Sequence, residues 1–98
     1  MNCNIIRGNV CTKEVEWGGS SGSHTPTAVD MGDIATLFGI NGLTQNRLVG
    51  IFIYNTLLSP ASNLITGCFG NHLYVASTQN CNRTSPIQAT IAYVKETQ

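Results

Sequence analysis

The sequence predicts a mainly-β fold: a small antiparallel β-sandwich of five to seven strands with at most one short helix. Three observations lead there. β-Branched and aromatic residues gather in short runs bounded by Gly, Pro, Asn and Ser, the pattern of strands separated by turns. Asn, Thr, Ser and Gln together supply 32 of the 98 residues, whereas only 10 are charged, so the residues that favour turns and strands outnumber the Lys and Glu that favour helix. A Gly-Asn pair at 70–71 lies between two strand-like runs, which is a two-residue hairpin signal.

The elements follow in chain order. Asn4-Ile5-Ile6 and residues 10–17 read as strands, and in the second Lys13, Val15 and Trp17 alternate with Glu14 and Glu16. Residues 18–23, Gly-Gly-Ser-Ser-Gly-Ser, read as a flexible exposed loop. Ile34, Leu37 and Phe38 form one apolar stripe of a short helix, with Asp30 as its cap and Gly39 as its end. Residues 47–58 are almost continuously apolar and end at Ser59-Pro60. They predict a strand buried on both faces, in a sandwich or at a subunit contact, with Gly50 marking a bulge or a close backbone approach. Around Gly70-Asn71 the hairpin register sets Phe69 opposite His72 and Cys68 opposite Leu73. The last strand, 87–95, directs Ile87, Ala89, Ile91 and Tyr93 to one face and Gln88 and Thr90 to the other.

Length and charge bound the function. A chain of 98 residues makes a single domain, and 42 % hydrophobic residues are enough for a core. Five basic and five acidic residues cancel, and the cations Arg7, Lys13, Arg47, Arg83 and Lys95 are too scattered to track a phosphate backbone, so nucleic acid is not an expected partner. A neutral chain also does not oppose its own association. No apolar run approaches the length of a membrane span. The absence of a basic segment followed by an apolar one at the start leads to the expectation that this domain is excised from a longer exported protein.

Four cysteines, Cys3, Cys11, Cys68 and Cys81, are even in number and lack Cys-x-x-Cys spacing. That points to two disulfides in an oxidising compartment rather than to a metal site. Of the three possible pairings, a turn around Arg7-Gly8 favours Cys3 with Cys11, leaving Cys68 for Cys81.

Catalysis is not expected. His24 stands near Ser23, Asp30 and Asp33, yet no nucleophile elbow or comparable motif surrounds it. Asp30 and Asp33 read as helix-start residues, because a calcium loop would need more oxygen ligands than they supply. No cofactor or metal is implied. Asn82-Arg83-Thr84 is a glycosylation triplet that arises readily by chance in an Asn- and Thr-rich chain. A binding surface is the better expectation. Trp17, where a strand enters the Gly/Ser loop, reads either as a lid on the core or as a flat platform for a sugar ring. His24, Asn71, His72, Gln79, Asn80 and Asn82 supply the imidazoles and amides that would surround such a ligand.

The hairpin from Leu64 through Gly70-Asn71 to Thr78, followed by the strand Ile87 to Lys95, resembles the C-terminal tips of bacterial and phage surface appendages. These are the phage tail-fibre tips and the variable segments of type IV pilus-tip adhesins. The resemblance covers about half the chain and implies a trimeric receptor-binding β-domain; the cysteines favour the exported pilus type. The function expected is therefore extracellular recognition of a cell-surface glycan or lipopolysaccharide through polar loops. The alternative is a structural assembly domain of a pilus or virion, held together through residues 47–58.

Overall fold

The computed structural model describes the backbone of residues 2–4, and residues 10–54 and 56–95 in full. Its elements are β1 (Asn2–Asn4), β2 (Val10–Trp17), β3 (Gly22–His24), β4 (Val29–Asp33), α1 (Ile34–Phe38), a 3-10 turn (Gln45–Arg47), β5 (Leu48–Tyr54), β6 (Leu58–Ser59), β7 (Leu64–Phe69), β8 (His72–Ser77), β9 (Cys81–Arg83) and β10 (Ile87–Val94). They form three small sheets with strand orders β1-β2-β10-β5, β3-β9-β6 and β4-β8-β7, and every pairing is antiparallel. The mainly-β antiparallel domain with one short helix is thus the fold. The short strands β1, β3, β6 and β9 add to the longer ones visible in the sequence.

The central strand β10 fixes which side of the largest sheet is the core. Its odd-numbered residues Ile87, Ala89, Ile91 and Tyr93 are at most 1 % exposed. In register beside them β2 contributes Cys11, Val15 and Trp17, and β5 packs Leu48, Ile51 and Ile53 against the same cluster. Ile34 and Phe38 of α1 and Leu73 and Val75 of β8 close this core. Removing that apolar surface from water is the main stabilising contribution.

Lys13 lies on the core face of β2, where a charge would be costly. Its Nζ escapes by reaching the end of α1, donating to the carbonyls of Phe38 at 2.9 Å and Gly39 at 3.1 Å. A cation on the last carbonyls of a helix is favourably placed in the helix dipole. At the other end the cap is Asp33, whose Oδ2 accepts from the Thr36 amide at 3.3 Å. This corrects the expectation for Asp30. Pairing with β8 keeps the chain extended as far as Asp33, so Asp30 remains in β4, where its Oδ1 accepts from the Gly32 amide at 2.8 Å.

The hairpin has the expected register, Phe69 opposite His72 and Cys68 opposite Leu73. Gly70 and Asn71 both have positive φ, 59° and 65°, the type I′ geometry whose twist matches paired strands. Three other expectations are corrected. Residues 48–54 are not buried on both faces; β5 is an edge strand with Val49, Phe52 and Tyr54 exposed. Residues 22–23 are not a flexible loop, because they begin β3 and pair with β9. Cys68 and Cys81 are free thiols, on strands β7 and β9 of different sheets. Cys11 is disulfide-bonded, and Cys3 is its register partner across β1 and β2. The turn expected at Arg7-Gly8 and the strand residues Ile5 and Ile6 lie outside the described residues.

Candidate functional site

The face of the four-stranded sheet opposite the core carries an aromatic and polar surface. On β5, alternation turns Ile51 and Ile53 inward, so Phe52 and Tyr54 point out, 62 % and 38 % exposed. The ladder extends each aromatic into a row. Tyr54 is level with Gln88 of β10 and Glu16 of β2; Phe52 is level with Thr90 and Glu14. Gln88 Nε2 donates to Glu16 Oε2 at 3.0 Å, which holds an amide and a carboxylate side by side. Gly50 gives the Phe52 ring room, since a Cβ there would stand 3.1 Å from Phe52 Cζ.

Two hollows flank Tyr54. One of about 320 Å³ is bordered by Glu14, Glu16 and Gln88; the other, of about 270 Å³, is bordered by Thr56, Leu58, Ser62 and Asn63. A flat apolar ring with hydrogen-bonding groups on both sides suits a ligand that is apolar on its faces and polar around its rim. No group of three or more His, Cys, Asp or Glu able to hold a metal ion occurs among the described residues.

The residues singled out from sequence divide into separate places. Trp17 is 5 % exposed and meets Phe38 edge to face, ring centroids 5.6 Å apart. It is a lid on the core and presents no face to a ligand. His24, Asn80 and Asn82 come together around a third hollow, described below. Asn71 and His72 sit at the β7–β8 turn. There Asn71 Oδ1 accepts from the Gln45 amide at 2.8 Å, while His72 Nδ1 lies 3.0 Å from both carboxylate oxygens of Asp30. The His72 contact and the Gly32 amide hold the Asp30 carboxyl below its ordinary value. Gln79 is engaged elsewhere, its Nε2 donating to the Ala61 carbonyl at 2.9 Å.

Phe52 and Tyr54 were missed because an almost continuous apolar run gives no sign of which of its two faces another layer covers. Arg83 was missed as well. It is 3 % exposed, and its Nε donates to His24 Nε2 at 3.0 Å while its Nη atoms donate to the carbonyls of Gly18, Gly19 and Ser85. Burial and the adjacent Arg83 charge lower the pKa of His24, favouring the neutral ring.

No family model, curated protein or solved structure matches the chain.

Proposed function

We propose that this chain is a non-catalytic recognition domain that binds a cell-surface glycan, free or as the sugar part of a lipopolysaccharide. The binding surface is the outer face of the four-stranded sheet rather than the loops. One observation carries this reading: the exposed rings of Phe52 and Tyr54 stand in adjacent rows with Glu14, Glu16, Thr90 and Gln88. A sugar ring places C–H groups on an aromatic face and hydroxyls against carboxylate and amide oxygens, which is the set of groups displayed here. Among the described residues, the hydrogen bonds of His24 and His72 run to Arg83 and Asp30.

Glycan-array and whole-cell binding with Phe52→Ala, Tyr54→Ala and Glu16→Gln test the proposal. Each change is at the surface, so folding should change by no more than about 1 kcal/mol, while each aromatic truncation should abolish most of the binding. Unaltered binding by all three variants would remove the site.

A second reading rests on a different observation. β5 pairs with β10 alone, and between residues 48 and 54 it carries no charge or proline to blunt its free edge. In that reading the strand joins chains into an assembly. Val49→Lys should then lower the sedimentation coefficient while Glu16→Gln leaves it unchanged.

A further inference from the structure

A hollow of about 300 Å³ lies between β3, β6 and β9, bordered by Ser23, His24, Ser59, Asn80, Cys81 and Asn82 among others. Its one titratable imidazole, His24, is only 9 % exposed. The ring is held by Arg83, from whose Nε the His24 Nε2 accepts at 3.0 Å. An accepting Nε2 on a neutral ring places the proton on Nδ1. That Nδ1–H has no hydrogen-bond partner among the described residues, and the ring borders the hollow.

The charge behind the ring selects what the donor will meet. Arg83 is buried at 3 % exposure, and its contacts are His24 and three backbone carbonyls, with no carboxylate among them. A buried cation with no carboxylate partner among the described residues favours negative charge nearby. Its hydrogen bond to Nε2 also polarises the imidazole, making Nδ1–H a stronger donor. At the rim, Ser23 Oγ donates to Asn82 Oδ1 at 3.0 Å, which leaves the Asn82 N–H₂ group able to donate. Asn80 is exposed beside it.

We infer that this hollow is an oxyanion site, in which His24 Nδ1–H, backed by Arg83, and the amide of Asn82 bind a carboxylate or phosphate group of a small ligand. The site stands apart from the sheet face around Phe52 and Tyr54 and does not depend on it.

The test is an NMR titration of the whole chain at neutral pH with inorganic phosphate and, separately, acetate, with sodium chloride holding the ionic strength constant. Acetamide serves as the neutral control. The His24 ring nitrogens and the side-chain amides of Asn80 and Asn82 are followed. Saturable shifts with either anion, and none with acetamide, are expected. Response to phosphate alone or acetate alone identifies which group the site takes. Asn82→Ala should weaken binding by about tenfold, the loss of one hydrogen bond to a charged group. His24→Gln keeps an acceptor for Arg83 and should weaken it at least as much. If that variant does not fold, Asn82→Ala still decides, because Asn82 is exposed and its removal leaves the core intact. Shifts that stay linear with both anions, acetamide binding as tightly as acetate, or an Asn82→Ala variant that binds like the parent would each overturn the assignment.

Discussion

Replacing Arg83 with Met removes a buried charge at the end of β9, level with Gly22 of β3, and leaves an apolar chain of similar length. Four hydrogen bonds disappear: one to His24 and three to the carbonyls of Gly18, Gly19 and Ser85. Bonds to charged groups contribute roughly 1.5–3 kcal/mol each, but they do not all count. Gly19 is exposed and Gly18 and Ser85 are half-buried, so water replaces much of what their carbonyls lose. His24 is buried and keeps an unsatisfied acceptor. The guanidinium's own desolvation cost is also relieved. The balance is a loss of about 3–5 kcal/mol, a large part of the roughly 5–15 kcal/mol that holds a domain folded. Urea unfolding followed by circular dichroism and by Trp17 fluorescence measures it. Arg83→Lys separates charge from geometry, because an ammonium cannot reach all four acceptors, and its loss should be about half as large. A loss under about 1 kcal/mol for Arg83→Met would refute the reasoning, since it would mean the guanidinium holds neither the glycine loop nor the histidine.

Other outcomes follow from the same contacts. Below about pH 6.5 the unfolded chain protonates His24 readily, while His24 in the fold resists protonation; this contribution is neutral above that pH and costs stability as the pH falls, which a pH series of urea midpoints detects. Asp30 acts in a lower window: its folded carboxyl is held below the ordinary 3.8, so its contribution is present above that value and is lost as pH drops through the folded pKa. Lys13→Met removes the cation from the last carbonyls of α1 and should cost about 0.5–1.5 kcal/mol by the same unfolding assay. Alkylation without reductant should label Cys68 and Cys81 once the chain is denatured and spare Cys11, read by peptide mass spectrometry.

Local pattern carried a good deal of this fold. The positions of β2, β7, β8 and β10 follow from alternation, because a half-buried strand must repeat every two residues. The register of the β7–β8 hairpin follows from Gly70-Asn71 because only a few residues accept two successive positive φ values. What failed has a common cause. Asp30 and Asp33 are equally plausible caps until β8 pairs with residues 29–33 and settles how far the strand extends. Cys68 and Cys81 are matched in the sequence only by elimination, once a turn brings Cys3 to Cys11, and the fold leaves both as free thiols on strands of different sheets. The short strands β3, β6 and β9 carry almost no periodicity of their own, and their pairing depends on residues far away in the chain.

The aromatic residues show why a surface is harder to read than a core. Trp17 and Tyr54 both lie at the end of a strand, and both are large rings with a polar edge, so nothing local distinguishes a lid from a platform. Their difference is set by face. Trp17 is level with Ile87 on the side of β2 that α1 covers, and Phe38 lies against it. Tyr54 is level with Gln88 on the side where the neighbouring rows end in Glu14 and Glu16. One odd and one even position relative to the same central strand therefore send one ring into the core and the other into solvent. Once Ile87, Ala89 and Ile91 are committed inward, Gln88 and Thr90 and the neighbours level with them face out, whereas Ala92, beside the register shift at Ala92/Tyr93, is buried. The placement of Phe52 and Tyr54 beside two carboxylates follows from that commitment, so any substitution that reversed the face of β10 would eliminate the proposed glycan surface and the core together.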